Sequence, residues 1–232
     1  KEVIGDRKVD YLIVNHMEPD HSGSMKALVA AFPDMQIVGN KKTFDFIRGF
    51  YDITDNFYEV AEGDELDLGY HKLKFFLTPM IHWPETMMTY DQTEKILFSM
   101  DAFGGFGSLD GGLFDDEVNV EFYEDEIRRY YSNIVAKYSP IVQRALGKLG
   151  ALDINVIAPT HGPIWRTSPK TIVDYYDKWS RYEAEEGVVI VYGTMYGNTA
   201  KMADYVARII SENGVKNVRV YDASKTHLSY IL

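Results

Sequence analysis

The strongest constraint on the fold is the segment His16–His21, of sequence His-Met-Glu-Pro-Asp-His, which places four potential metal ligands within six residues. It directly follows Val9–Val14, an apolar run that predicts a buried strand. Pro19 fixes its own φ and disfavours helical geometry at the preceding residue, so an extended segment is predicted. In such a segment His16, Glu18 and Asp20 project to one side. We therefore expect a metal-binding loop after this strand, followed by a helix capped within Ser22–Ser24.

Three further candidate ligands follow predicted strands elsewhere in the chain. Ligands gather at strand ends in α/β proteins, so a fold can bring these side chains together although no regular spacing connects them. They are His82 after Lys72–Leu77, Asp101 after Ile96–Met100, and His161 after Ile154–Ala158. The isolated His71 and His227 are more simply explained as hydrogen-bonded structural residues.

The composition excludes several classes of site and partner. The 232 residues contain no cysteine, so any metal must be held by His, Asp or Glu and not by thiolates. A net charge of −11 argues against a nucleic-acid partner, because affinity for phosphate backbones comes from Lys and Arg. The apolar runs are far shorter than the roughly 20 residues that span a membrane, and Lys1–Asp10 does not resemble a signal peptide. We expect a cytoplasmic protein with no membrane partner.

Strands and helices alternate along the chain, which predicts an α/β domain over residues 1–186 and the start of a second domain over residues 187–232. The acidic connector Glu183–Gly187 separates the two. The second domain holds one predicted β-α-β unit, too small to bury both faces of a parallel sheet, so we expect it to be truncated unless a partner completes it. The other predicted strands are Gln36–Val38, Thr86–Tyr90, Val188–Tyr192 and Val215–Tyr221. The predicted helices are Met25–Phe32, Thr43–Tyr51, Glu121–Leu149 with a break at Pro140, Ser168–Tyr182 and Thr199–Ser211.

A glycine-containing loop, Gly193–Thr199, connects the first strand of the second domain to its helix. Backbone N–H groups at a helix start, with hydroxyl groups beside them, can bind a phosphate. The loop alone is equally consistent with plain turn chemistry, since a strand, a glycine loop and a helix are common in α/β proteins.

Together, these motifs resemble the flavodiiron proteins over about residues 9–200. The resemblance rests on His-x-Glu-x-Asp-His, the distant His82, an Asp 19 residues later in Asp101–Gly104, and the Thr-His-Gly within Ala158–Pro163. It implies a metallo-β-lactamase-like αββα sandwich over residues 1–186, without its opening strands. The start of a flavodoxin-like doubly wound parallel sheet would follow at residues 187–232, so we expect an internal fragment.

The resemblance also implies which residues bind which group. One iron, nearer the flavin, would be bound by His16, Glu18 and His82, the other by Asp20, His21 and His161, with Asp101 bridging the two. The FMN phosphate would lie among Thr194, Met195, Tyr196, Gly197, Asn198 and Thr199. In the family's pattern the loops that grip the isoalloxazine ring lie beyond Leu232.

The activity that the resemblance implies is electron transfer from FMN to a non-haem diiron centre, which reduces O₂ to water, NO to N₂O, or both. No catalytic residue beyond the metal ligands is expected. An external donor such as a rubredoxin-type protein would supply the electrons. The resemblance further implies a head-to-tail homodimer or a dimer of dimers, and a connector of five residues, at most roughly 17 Å long, fits that arrangement.

Two other functions are consistent with parts of the sequence. A dinuclear zinc hydrolase of the metallo-β-lactamase type would use a bridging hydroxide as its nucleophile. Those hydrolases have His where Glu18 stands, so the mixed set of four imidazoles and three carboxylates favours iron. A flavin-binding module with a merely structural metal is disfavoured, because structural metals are usually enclosed by thiolate and imidazole ligands.

Overall fold

The computed structural model describes residues 3–231, which form ten strands in three sheets. A three-stranded parallel sheet has the order β1-β2-β3, and a five-stranded mixed sheet has the order β4-β5-β6-β7-β8. A two-stranded parallel sheet follows near the carboxyl end. The strands are β1 (Tyr11–Ile13), β2 (Gln36–Gly39), β3 (Phe57–Glu59), β4 (Glu65–Asp67), β5 (Lys72–Leu77), β6 (Met87–Asp91), β7 (Ile96–Met100), β8 (Val156–Pro159), β9 (Val188–Tyr192) and β10 (Val218–Asp222).

Seven α-helices accompany the strands within the described residues. None of them is long and apolar enough to cross a membrane. The helices are α1 (Pro19–Ser22), α2 (Met25–Ala31), α3 (Lys41–Tyr51), α4 (Val120–Tyr130), α5 (Ser139–Leu149), α6 (Pro169–Ser180) and α7 (Asn198–Glu212).

The two larger sheets pack face to face between layers of helices, which confirms the predicted αββα sandwich. Neighbouring residues of a strand point to opposite faces, and Phe75 of β5 joins the core between the sheets whereas Phe76 joins the core under α4, α5 and α6. Met87 and Met88 of β6 divide in the same way. On the other side of the sandwich, Ile37 of β2 packs under α2 and α3.

The last part of the chain forms the predicted β-α-β unit, with β9 and β10 parallel and α7 between them. A 3-10 turn, Leu228–Tyr230, follows β10 and lies against α4. The Tyr230 hydroxyl donates to Asp125 at 2.7 Å, and the Arg128 guanidinium lies 5.3 Å from the Tyr230 ring centre. The unit is therefore tied to the first domain by side-chain contacts as well as by the connector.

Several predicted elements differ from the observed ones. The short strands β3 and β4 were not predicted, because three-residue strands are too short to show periodicity. The predicted helix Glu121–Leu149 is interrupted before Pro140, at a π-helical turn over Tyr131–Val135 and a 3-10 turn over Ala136–Tyr138. Pro140 instead lies in the first turn of α5, where its missing N–H leaves no hydrogen bond unmade.

The prediction that His16–Asp20 is extended throughout is wrong. Glu18 is extended (φ −57°, ψ 142°), but Pro19 begins the helical turn α1, which contains Asp20 and His21. Proline at the first position of a helix is favourable, since its φ already suits the helix. The turn directs Asp20 away from His16 and Glu18. Ser24 precedes α2 in the cap position, but its side chain makes no capping hydrogen bond.

Asn40 connects β2, α3 and the loop before β6, and its loss should destabilise the fold. Its side-chain oxygen accepts from the amides of Lys42 and Thr43, and its Nδ2 donates to the buried Glu85 carbonyl at 2.6 Å. We expect Asn40→Ala to lower the free energy of unfolding by about 2 kcal/mol. The variant loses the cap of α3 and leaves the buried Glu85 carbonyl without its hydrogen-bond donor. Asn119→Ala, which removes the exposed cap of α4, should cost about 1 kcal/mol or less. Urea titration of both variants measures the difference, and equal losses would contradict this role for Asn40.

Candidate metal centre

The seven candidate metal ligands lie together in two adjacent groups at the ends of strands from both sheets. In each group, one ligand atom from every residue lies within 4.8 Å of all the others. The first group is His16, Glu18, His82 and Asp101, and the second is Asp20, His21 and His161. The structure thus brings together every ligand that the sequence suggested, and it separates Asp20 from His16 and Glu18.

The first group has spacings suited to one metal ion. His82 Nε2 lies 3.0 Å from Glu18 Oε2 and 3.0 Å from Asp101 Oδ2. His16 Nε2 lies 3.3 Å from the same two oxygens. Imidazole and carboxylate ligands bind first-row ions at about 2.1 Å, so neighbouring ligand atoms around an ion are roughly 3 Å apart. The four atoms could therefore hold one ion without rearrangement.

The second group is more open. His161 Nε2 lies 3.4 Å from Asp20 Oδ2, and His21 Nε2 lies 3.6 Å from Asp20 Oδ1. The Asp20 side chain is about half exposed, at 52%. A second ion would therefore be bound nearer the surface, with room for a ligand that the protein does not supply.

Asp101 joins the two groups, since each carboxylate oxygen faces one of them. Oδ2 faces His16 and His82, whereas Oδ1 lies 2.8 Å from His21 Nε2 and 3.5 Å from His161 Nε2. The side chain is 1% exposed. Burial alone would raise the pKa of Asp101, but the surrounding imidazoles outweigh burial and hold this pKa well below its usual range. Asp101 is therefore ionised and placed as a bridging ligand would be.

The geometry around His21 supports a cation in the second group. His21 Nε2 is buried and makes no hydrogen bond of acceptable geometry with any described residue, although Asp101 Oδ1 lies only 2.8 Å away. The two atoms are therefore close together without a well-formed hydrogen bond between them. Leaving a buried polar atom unpaired is costly unless a ligand satisfies it. The donor set therefore fits a metal ion.

The loops that carry these ligands have backbone conformations that few residues adopt. Met100 and Phe103, on either side of Asp101, have φ values of +52° and +69°. Gly162, next to His161, has φ +74°, and a Cβ there would lie 2.8 Å from the Gly105 amide nitrogen. Unfavourable conformations of this kind often accompany functional sites. They let the loops after β7 and β8 approach each other so that Asp101 and His161 meet.

Several residues outside the predicted set contact the ligands. Thr160 Oγ1 donates to Asp101 Oδ1 at 2.9 Å, and Glu85 Oε1 lies 2.7 Å from His16 Nδ1. The buried Tyr130 ring lies 5.7 Å from the His161 ring, and burial, with the charge of Asp101, raises the phenol's pKa so that it stays protonated. Thr160 directly precedes His161 and Glu85 lies three residues after His82, but nothing in the sequence showed that Glu85 is buried.

The loop proposed for the FMN phosphate has the expected local geometry. Gly197 has φ +82° and precedes α7, and its N–H donates to Thr194 Oγ1 at 3.0 Å. Met195 and Tyr196 are 89% and 86% exposed. The helix start therefore presents free amides and the Thr199 side chain on the outer surface, where a phosphate could bind.

Comparison with known families confirms both parts of this architecture. Residues 1–162 match the model of the ODP family beta lactamase. The chain belongs to this family. Residues 190–232 match the flavodoxin model, so a flavodoxin-like segment follows the lactamase-like domain.

Similar proteins include an uncharacterised protein of Methanocaldococcus jannaschii, 39% identical over 99% of this chain and 58% of its own length. An anaerobic nitric oxide reductase flavorubredoxin of Escherichia coli is 38% identical over 97% of this chain and 48% of its length. The chain thus spans about half the length of the curated relatives it matches.

Solved structures of similar fold are flavodiiron proteins. The rubredoxin oxygen:oxidoreductase of Desulfovibrio gigas has a TM-score of 0.90 and 31% identity, covering 99% of this chain and 58% of that one. The flavodiiron protein of Giardia intestinalis has a TM-score of 0.87 and 28% identity, covering 96% of this chain and 55% of that one. The resemblance to flavodiiron proteins is confirmed.

The charge balance of the metal-free site makes its stability depend on pH. Burial opposes protonation of His16, but Asp101 and Glu85 outweigh burial and raise its pKa from 6.5 to about 9. Because the folded pKa exceeds the unfolded one, this stabilisation is complete below pH 6.5 and is lost as the pH rises through about 9. We expect the free energy of unfolding in EDTA to fall across this range. Metal-loaded protein should show the opposite trend, because its ligands must lose protons to bind.

Urea unfolding at pH 6, 7, 8 and 9 in EDTA tests this expectation, with His16→Gln as the comparison variant. Asp101 also raises the pKa of His21, so His16→Gln should reduce the pH dependence without abolishing it. A metal-free wild-type chain whose stability is constant from pH 6 to 9 would contradict the expectation.

Proposed function

We propose that this chain is part of a flavodiiron oxidoreductase that passes electrons from FMN to a non-haem diiron centre and reduces O₂ to water, NO to N₂O, or both. The observation that carries the proposal is Asp101, whose two oxygens face two separate groups of ligands. A carboxylate placed in this way can hold two cations close together. The flavodoxin-like segment that follows this domain in the chain would add the means of delivering electrons.

The zinc hydrolase alternative is less well supported. Glu18 Oε2 lies within 3.3 Å of both His16 and His82, so it belongs to the first ligand group and gives that group a second carboxylate. The relatives with named activities are a nitric oxide reductase and a rubredoxin oxygen:oxidoreductase. Both are redox proteins, which favours the reductase.

The residues of this chain would bind, orient and desolvate the reacting groups. Two irons, when bound, would supply electrons and a polarising charge to a small diatomic molecule. Asp101 would balance their charge in a buried position, and Thr160 fixes its orientation through the hydrogen bond to Oδ1. The more open side, at Asp20 and His161, would admit the substrate. Tyr130 next to His161 keeps its proton and excludes water from that side of the ring.

The remaining parts of the proposal rest on the family resemblance. FMN would bind at Thr194–Thr199, and a rubredoxin-type protein would supply electrons. A cytoplasmic head-to-tail homodimer or dimer of dimers would bring the flavin of one chain to the irons of another. We place the domain boundary at about residue 186, within the stretch between the two matched families, residues 163–189.

Metal analysis combined with an absorption spectrum tests the proposal most directly. We expect two irons per chain after anaerobic loading with Fe²⁺, and NO or O₂ consumption when reduced FMN and the full-length protein are used. Two zinc ions that cannot be replaced by iron, together with esterase activity, would instead identify a hydrolase.

The two ligand groups predict position-specific loss of metal. His82→Ala removes a ligand of the first group only and His161→Ala a ligand of the second only, so each variant should retain about one of the two irons. His71→Ala is the matched control, because His71 pairs with Asp91 and belongs to neither group. Iron stoichiometry with circular dichroism measures the outcome. Full iron content in both His82→Ala and His161→Ala would remove these residues from the ligand set.

Asp101→Asn should weaken both positions together, since an amide cannot supply the negative charge that both groups share. We expect less than one iron per chain and flavin that is reduced normally but reoxidised slowly by substrate. Stopped-flow reduction and reoxidation of the full-length protein separate the two steps. Normal reoxidation in this variant would show that Asp101 does not bridge the irons.

A further inference from the structure

Glu85 is a buried carboxylate that contacts a ligand without itself belonging to either ligand group. Its side chain is fully buried, at 0% exposure. Oε1 accepts a hydrogen bond from the Met17 amide at 2.9 Å and lies 2.7 Å from His16 Nδ1. Acidic side chains are rarely buried without a partner, and the imidazole of His16 is the only side chain within hydrogen-bond distance of the Glu85 carboxylate among residues 3–231.

The backbone around Glu85 is fixed as well. Its carbonyl oxygen accepts from Asn40 Nδ2 at 2.6 Å, and Asn40 also caps α3. Thr86, the next residue, donates to the carbonyls of Thr78 and Trp83. These hydrogen bonds fix the backbone at Glu85, so its carboxylate reaches His16 from a fixed position.

The two nitrogens of His16 face different partners. Nδ1 faces Glu85, whereas Nε2 faces Glu18 and Asp101. A carboxylate that already accepts from a backbone amide accepts from the Nδ1–H as well, which leaves the Nε2 lone pair directed at the ligand group. Carboxylates that bind the far nitrogen of a metal-bound histidine commonly fix its tautomer and strengthen its bond to the metal.

We propose that Glu85 is a positioning residue for the first metal position and that it acts through His16 alone. It keeps the proton on Nδ1, orients the ring and adds negative charge behind it. The inference rests on the proposed function, since it requires that the first group binds a metal. If it is right, the metal affinity of the first position depends on Glu85, although Glu85 itself binds no metal.

A second histidine–carboxylate pair in the same domain provides a matched control. Asp91 is 4% exposed, its Oδ2 lies 2.6 Å from His71 Nδ1, and its Oδ1 accepts from the Thr93 amide. Asp91 lies at the opposite end of β6 from Glu85. Asp91→Asn and Glu85→Gln therefore remove the same charge from the same kind of pair, but only Glu85 contacts a candidate ligand.

The experiment measures Zn²⁺ affinity of the full chain by competition with a chromophoric chelator, using Zn²⁺ as a diamagnetic probe. The wild-type chain should bind two ions. Relative to it, Glu85→Gln should weaken one of them about 10-fold and Glu85→Ala about 100-fold, the range typical for such partners. Asp91→Asn should leave both affinities unchanged.

A proton NMR measurement on the Zn²⁺-loaded chain separates positioning from general destabilisation. The Nδ1–H of His16 should give a downfield, slowly exchanging resonance that moves upfield in Glu85→Gln and is unchanged in Asp91→Asn. Unchanged Zn²⁺ affinity in Glu85→Gln, an equal loss in Asp91→Asn, or an unmoved resonance would overturn the inference while the proposed function stands. A wild-type chain that binds no Zn²⁺ would overturn both.

Discussion

One buried carboxylate surrounded by four imidazoles is the interaction around which this molecule is arranged. The Nε2 atoms of His16, His21, His82 and His161 all lie within 3.5 Å of Asp101. Removing a carboxylate from water is unfavourable unless positive charge compensates it. In the metal-free chain raised histidine pKa values supply part of that compensation, and cations would supply it in the loaded protein. The fold must therefore bring distant segments together at one point.

The sandwich achieves this by placing strand ends of both sheets at one edge. The first motif follows β1 of the parallel sheet, whereas Asp101 and His161 follow β7 and β8 of the mixed sheet. Consecutive residues of β5, such as Phe75 and Phe76, point to opposite faces and pack the mixed sheet against the layers on either side. Residues far from the site thus determine its geometry, because a shift of either sheet would separate the two halves of the ligand set.

The candidate ligands and the α/β class could be predicted from local patterns in the sequence, whereas the αββα arrangement was implied by the family resemblance. The segment His16–His21 places four potential metal ligands within six residues. Long strands such as β5 and β7 show the alternation of buried and less buried side chains that is typical of a strand. The helical turn at Pro19 was not predictable from the preference of residues preceding proline alone, since that preference concerns Glu18 and not the residues after Pro19. Glu85 could not be recognised either, because an acidic residue in a short loop resembles a solvated one until tertiary contacts bury it.

The shared position of Asp101 has a thermodynamic consequence for how two ions would enter. An ion in the first group would bind Oδ2, whereas Oδ1 would still face His21 and His161 of the second group. The metal affinities of the two positions are therefore coupled through one carboxylate, and linkage requires that each ion changes the affinity of the other by the same factor. The order in which the two ions enter then leaves the total free energy of binding unchanged and alters only the affinity measured at each step.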